Sequence, residues 1–386
     1  MIKELALLSP IFITLFWSLV FIIQIGSKDK SKFLLGAFMV HAFLLYTSHA
    51  IFFNNLPHLY SFIESIYILS MLSLYPVFYN YILLLTTGEY CPKKYYHFIP
   101  ALVFSFVALM MTLFLSPEQR IFYVEETLLN RNLKGLNIST AVGLKGIVFL
   151  LSRAFFIVQV AAYAFLAIKV ANEHNQRILD YYSNTEGKTL NWVRLLSIGF
   201  LIISSASITF AFIGRSSFNK NEAWLLIPSA IFSFVFFTIG FKGNQQQQFN
   251  SELKFEDPKL DFNETKTGQT ELLKSRLVQL FIKDKIYKYP DLRIATISET
   301  LKTNRTYISK LINEEFNMNF NEFVNNYRIE EAKELLLDTS HDLYSMEYIA
   351  EKSGFGSINS FTRVFKTITG LTPGKFREQS LTGKES

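Results

Sequence analysis

Hydrophobic positions follow two patterns along this chain. Residues 1–242 hold seven long apolar stretches, near 5–25, 33–53, 58–86, 97–115, 146–168, 193–213 and 223–241. Each is close to the roughly 20 residues that a helix needs to cross a hydrocarbon core. Lys3 is followed at once by Glu4, and no small-x-small site precedes Ser27, so the first stretch reads as a retained span rather than a signal peptide. From Gly243 to Thr270 the chain turns polar, with Gln245–Gln248 in a row and Pro258. This linker has too few apolar residues to build a core. As a flexible chain it spans roughly 30 Å and keeps the C-terminal residues close to the bilayer.

Residues 271–386 then show short helical repeats. Leu273, Leu277, Leu280 and Phe281 share one helix face, and Tyr289-Pro290-Asp291 ends that helix. The spacing predicts a short helix over 294–301, a break at Lys302–Asn304, and a second helix with Ile308, Leu311 and Ile312 inward. A longer helix over about 321–338 comes next, and then short–break–short again: a helix around Ser345–Lys352, Gly354, and a helix carrying Phe361, Val364, Phe365 and Ile368. The expected fold is all-α: a seven-helix membrane domain (1–242), a polar linker (243–270), and a cytoplasmic domain (271–386) with two helix-turn-helix units joined by one long helix.

Charge sharpens this division. Residues 1–242 contain 18 Lys+Arg and 11 Asp+Glu, against 20 and 21 in the shorter remainder. The excess positive charge lies in the apolar part, so the basic pI is not evidence for nucleic acid. Lys28, Lys30, Lys32, Lys93, Lys94, Lys169, Arg177, Lys188, Arg194 and Lys242 fall in alternate connections, with Arg215 and Lys220 the main exceptions. By the positive-inside rule the N-terminus is outside and the C-terminus cytoplasmic. The lone Cys91 rules out an intramolecular disulfide and a thiolate metal cluster.

Glu64, Arg153 and His49 fall at similar depth within the spans, where ionisable groups are costly. They form either a structural Glu–Arg pair that locks two helices or an outward-facing signal pocket. No His-Glu-x-x-His or Gly-x-Ser-x-Gly motif, acidic metal cluster or inverted repeat is present, so no enzyme, cofactor or metal site is expected.

In the C-terminal part, local charge favours DNA. Lys352 to Arg377 contains five basic residues and no acid, and Lys302–Asn313 contains Lys302, Arg305 and Lys310 with no acid. In a helix-turn-helix unit the second helix enters the major groove N-terminus first. An 18-residue connecting helix is about 27 Å long, close to the ~34 Å of one DNA turn, which suits two successive grooves. Glu330, Glu331, Glu334 and Asp338 fall on that helix, away from phosphates.

Leu292 to Arg377 resembles the DNA-binding domain of the AraC family of bacterial transcription regulators. The resemblance rests on Ile349-Ala350-x3-Gly354-Phe355, Phe361-x-Arg363-x-Phe365-Lys366, Gly370-Leu371-Thr372-Pro373 and Phe376-Arg377, with Tyr307-Ile308-Ser309, Asn319-Phe320, Tyr327-Arg328 and Ala332 in the first unit. It implies base reading by Arg305, Thr306, Ser309 and Lys310 in one recognition helix and by Ile358, Asn359 and Arg363 in the other. Arg and Lys suit guanine, Asn suits adenine, and the Thr methyl suits thymine. Asn304, Ser357 and Lys366 are expected at the DNA backbone, the first two also as helix caps. Ile358 departs from the polar residue often found there. Ser298 and Lys302 replace the small-residue-to-glycine pattern in the first unit. The resemblance implies a bacterial regulator with double-stranded DNA as partner and RNA polymerase and a second copy of the chain as candidate protein partners, and the apolar spans add the lipid bilayer and an inner membrane location. The seven spans lie outside it. They serve either to sense an external or membrane-dissolved signal, or only to anchor a regulator controlled by proteolytic release or a partner membrane protein.

Overall fold

The computed structural model describes residues 2–24, 30–88, 92–130, 139–213, 225–246, 267–338 and 344–382. Cys91, Lys28, Arg131, Lys134, Arg215, Lys220 and linker residues 247–266 lie outside the described residues. Among the described residues, fifteen α-helices make up almost the whole structure. The chain divides into two compact units, Met1–Asn172 with Leu190–Phe255, and Glu173–Thr189 with Glu256–Ser386.

The first unit comprises α1 (Ile2–Ile23), α2 (Lys30–Phe53), α3 (Pro57–Thr87), α4 (Ile99–Phe114), α5 (Pro117–Phe122), most of α6 (Ala141–Tyr181), α7 (Asn191–Ile213) and α8 (Leu226–Gln245). A 3-10 turn, Pro92–Phe98, precedes α4, and a π-helical turn, Tyr123–Leu129, comes after α5. Among the described residues, six helices are long and apolar enough to cross a bilayer: α1, α2, α3, α4 with its preceding turn, α6 and α8. The predicted stretch at 193–213 is helical as α7, and its described apolar part is Asn191–Ile202. Neighbours in sequence pack side by side, α1 on α2, α2 on α3 and α3 on α4, and α8 returns to α1. Phe21, Leu35, Phe38, Met39, Tyr81 and Phe236 fill the core between them. Gly240 lets α8 approach the Trp17 ring, where any β-carbon would collide. Outward faces carry Phe12, Phe16, Ile23, Phe106 and Phe114 exposed.

Polar side chains inside this unit are linked to one another. Glu64 on α3 pairs with Lys145 on α6 at 2.9 Å, each side chain only 1% exposed. The Tyr123 hydroxyl donates to the other Glu64 oxygen at 2.6 Å, and Lys145 Nζ donates to Thr112 Oγ1 at 2.6 Å. The expected Glu64–Arg153 pair does not form. Arg153 instead lies over the Tyr67 and Phe149 rings and donates to Met71 Sδ at 3.3 Å. The physical reason is that α6 begins at Ala141, which places Lys145 inside the helix next to Glu64.

In the second unit, α9 (Thr267–Ile282), α10 (Ile294–Thr300), α11 (Arg305–Phe316), α12 (Phe320–Leu337), α13 (Met346–Lys352) and α14 (Ile358–Thr369) fall where the periodicity places them, and a further helix, α15 (Pro373–Thr382), which the periodicity did not predict, ends the unit. The middle helix α12 serves two cores. Its first half supplies Phe320, Phe323 and Val324 to a cluster with Leu277, Phe281, Ile297, Ile308 and Ile312. Its second half supplies Ile329, Ala332 and Leu336 to a cluster with Ile349, Phe355, Phe361 and Phe365. Asn319 starts α12 with a reciprocal cap, accepting from Glu322 N while the Glu322 side chain accepts from Asn319 N.

The two short-helix pairs turn in the same way. Thr303 N donates to Ser298 O at 2.9 Å between α10 and α11, and Phe355 N donates to Ala350 O at 2.8 Å between α13 and α14. Gly354 has φ +90°, and Lys302 reaches the same left-handed region at φ +53° without being glycine. A β-carbon on Gly354 would lie 2.5 Å from Tyr287 O, which makes glycine necessary there for space as well as for conformation.

This packing ranks two glycine substitutions. Gly354→Ala is expected to destabilise the second unit by more than Gly370→Ala. Gly370 also has positive φ (+79°) but open space around it, so its cost is about 1–2 kcal/mol of backbone strain alone. Denaturant unfolding of the full chain, together with hydrogen exchange in α13 and α14, measures the difference. In the first unit, Lys145→Met strands a buried carboxylate and costs about 3–5 kcal/mol, whereas Glu64→Gln combined with Lys145→Met recovers most of it. Thermal unfolding in detergent compares the single and double variants.

Candidate nucleic-acid interface

Each expected reading helix begins with a side-chain cap. Asn304 accepts from Tyr307 N at 2.9 Å at the start of α11, and Ser357 accepts from Ser360 N at 3.1 Å at the start of α14. Both caps fix the first turn and leave the helix N-terminus, with its partial positive charge, at the surface. Ile308, Leu311 and Ile312 pin α11 to the first cluster, and Phe361 and Phe365 pin α14 to the second.

The opposite faces carry the expected base readers. Arg305, Thr306 and Lys310 are exposed on α11, with Ser309 half-buried between them. Asn359 and Arg363 are exposed on α14, with Lys366 one turn later, while Ile358 is half-buried. Among the described residues, the side chains of Arg305, Thr306, Asn359, Arg363 and Lys366 make no hydrogen bond or ion pair. Lys310 lies 3.7 Å from Glu314 in an exposed pair, a contact worth little in water. Asn313 Nδ2 reaches Ser309 Oγ only at 3.5 Å.

Two acids of α12 are engaged elsewhere. Glu331 takes Lys288 at 2.6 Å, Lys285 at 2.8 Å and the Tyr287 hydroxyl at 2.7 Å. Burial alone would raise its pKa, but these three donors outweigh burial and hold the carboxyl down at about 2. Glu330 pairs with Lys333 at 2.8 Å.

Sequence reasoning named Arg328 only within the resemblance and missed its role at the centre of this unit. Arg328 of α12 is 1% exposed. Its Nε donates to Tyr287 O at 2.8 Å, and its Nη2 donates to Tyr289 O at 2.7 Å and to Pro290 O at 3.3 Å. Burial lowers its pKa to about 10, opposed by Asp291, so the guanidinium stays charged at neutral pH. Nη2 also donates to Ser183 Oγ at 3.1 Å, and Asn321 donates to the carbonyls of Tyr182 (3.2 Å) and Ser183 (2.7 Å). Segment 173–189, which the sequence assigns to the apolar half, thus belongs to this unit. Its only advance signal is polarity, in the run Ser183-Asn184-Thr185-Glu186.

The expected signal-site residues lie in the first unit. His49 and Arg153 meet there on the Tyr67 ring, with His49 Nε2 3.3 Å from the Tyr67 hydroxyl. Glu64 is engaged with Lys145 and Tyr123.

Known proteins resemble the second unit. The family described as "Helix-turn-helix domain" matches residues 297–379. Two HTH-type transcriptional regulators of Bacillus subtilis are similar to the same region. YfiF is 36% identical over 100 residues, covering 26% of this chain and 30% of that protein, and YtdP is 34% identical over 89 residues, covering 23% and 11%. This chain therefore spans less than a third of the length of either relative. The C-terminal domain of the two-component response regulator yesN from Fusobacterium nucleatum is 27% identical, with 29% of this chain and 99% of that one covered and a TM-score of 0.24. The C-terminal part of the chain, residues 297–379, is a helix-turn-helix DNA-binding domain of the AraC type.

Proposed function

We propose that the chain is a membrane-embedded, one-component transcription regulator. In this reading α10–α11 and α13–α14 are two helix-turn-helix units, with α11 and α14 as their recognition helices. The observation that carries it is the pair of capped helices, each packed by its apolar face, with Arg305 and Thr306 uncommitted in the first turn of α11 and Asn359 and Arg363 uncommitted in the first turns of α14. Arg363 and Arg305 would read guanine, Asn359 adenine and Thr306 the thymine methyl, with Ser309 and Lys310 supporting α11. Asn304, Ser357 and Lys366 would contact the backbone and set register. The half-buried Ile358 would offer only an apolar contact.

Membrane embedding is supported by six apolar helices and by the exposed Phe, Leu and Ile side chains on their outer faces, a surface that lipid would cover. The proposed orientation has the N-terminus outside and the helix-turn-helix domain in the cytoplasm of a bacterial cell. A signal acting on the apolar unit would shift the equilibrium between two arrangements only through different affinity for each. Tyr67, shared by His49 and Arg153, is the place proposed for that signal to act. The closed Glu64–Lys145–Thr112–Tyr123 network favours a purely structural role for that pair. An anchor-only reading extends this to the whole apolar unit, and a 243–386 fragment released in cells and active there would support it.

The test uses the full chain in lipid nanodiscs and a duplex selected by it from a random pool. Arg363→Ala loses about 1–3 kcal/mol of affinity for that duplex and relaxes one base position, leaving binding to random DNA little changed. An unchanged ratio of selected to random affinity rejects the assignment.

A further inference from the structure

Segment 182–186 has the bonding of a built contact. Ser183 N donates to Leu292 O at 3.1 Å, and Tyr182 forms an antiparallel bridge with Arg293, just before α10. Arg328 and Asn321 hold it to α12. Asn184 Nδ2 lies 3.4 Å from Asp291 Oδ1. At its tip, Glu186 Oε2 accepts a 2.9 Å hydrogen bond from Ser357 Oγ, the cap of α14. A carboxylate therefore sits at the positive end of a twelve-residue helix, where an anion is favoured. In the proposed function, this is where a DNA phosphate would be received.

We infer that segment 182–186 is an intramolecular competitor of DNA, with Glu186 occupying the phosphate position at the N-terminus of α14. The inference rests on the DNA-reading role proposed above. Three features support inhibition over simple bracing. The tip residue is an exposed acid at the cap of a helix whose Asn359, Arg363 and Lys366 side chains are exposed. It contacts the cap itself rather than the buried side of the helix. The anchors on Ser183 and Tyr182 bond α12 and Leu292 rather than α14, so the tip can lift while its base stays bonded. In sequence the segment directly connects α6 to α7, so a change in the separation of those helix ends is passed to it through the chain alone. DNA binding and withdrawal of Glu186 are then one equilibrium, and a signal that favours withdrawal favours DNA by the same factor.

The test is made on the full chain in nanodiscs of zwitterionic lipid, with a random-sequence 30-base-pair duplex at low salt as probe. Glu186→Gln removes the charge while keeping the shape. It is expected to bind about three- to tenfold more tightly than the unaltered chain, with Glu186→Ala at least as tight. A lock provides a second reading: Asn184→Cys with Asp291→Cys, in a Cys91→Ser background. Oxidised, it is expected to bind more weakly than when reduced. Unchanged or weaker binding by Glu186→Gln, or equal binding by oxidised and reduced lock, overturns the inference. If the unaltered chain binds and Arg363→Ala still relaxes base choice on the selected duplex, the DNA-reading role survives that failure. If no variant binds any duplex, both fall.

Discussion

A guanidinium taken out of water costs several kcal/mol unless its donors are satisfied, and the second unit is organised around one that is. Arg328 lies in the middle of α12, between the cluster that carries α11 and the cluster that carries α14. It gathers three carbonyls from the Tyr287–Pro290 turn and lies over the Phe355 ring at 5.6 Å. That turn also limits the space around Gly354, which in turn sets the angle at which α13 meets α14. One charged side chain thus ties the loop before α10, the connecting helix and the second tight turn into a single body. Apolar contact alone would leave the two clusters free to move about α12.

This arrangement has a consequence for recognition. Two helices read DNA as a pair only when their spacing and tilt are held, because phosphate contacts fix register before base contacts can discriminate. Caps at Asn304 and Ser357 fix each helix start, and the Arg328 network fixes the frame that carries both helices. The same guanidinium also bonds Ser183, so the segment that ends in Glu186 is anchored to the frame itself.

Much of this was legible in the sequence. Helices α9 to α14 of the second unit followed from i, i+3, i+4 spacing because each packs an apolar stripe against a core, α12 against two. The exposed positions of α11 and α14 followed from the same periodicity. Gly354 was readable as a turn glycine and the break at Lys302 was read as well, but its left-handed backbone was not, because that conformation at lysine leaves no mark on composition. The partner of Glu64 was illegible for another reason. Arg153 and Lys145 both lie on α6, but the apolar stretch read at 146–168 left Lys145 outside the span, whereas the helix begins at Ala141. Segment 173–189 was hidden because its contacts use backbone carbonyls and small polar side chains, which carry no periodic signal.

The central claim is that two recognition helices, fixed on one rigid α12 frame, read one face of a duplex while the chain is in a membrane. Hydroxyl-radical footprinting of the full chain in nanodiscs, on a duplex it selects from a random pool, tests this most directly. The account predicts two protected patches separated by about one helical turn, roughly 10 base pairs, on the same face. A single patch, or protection spread evenly along the duplex, would contradict it.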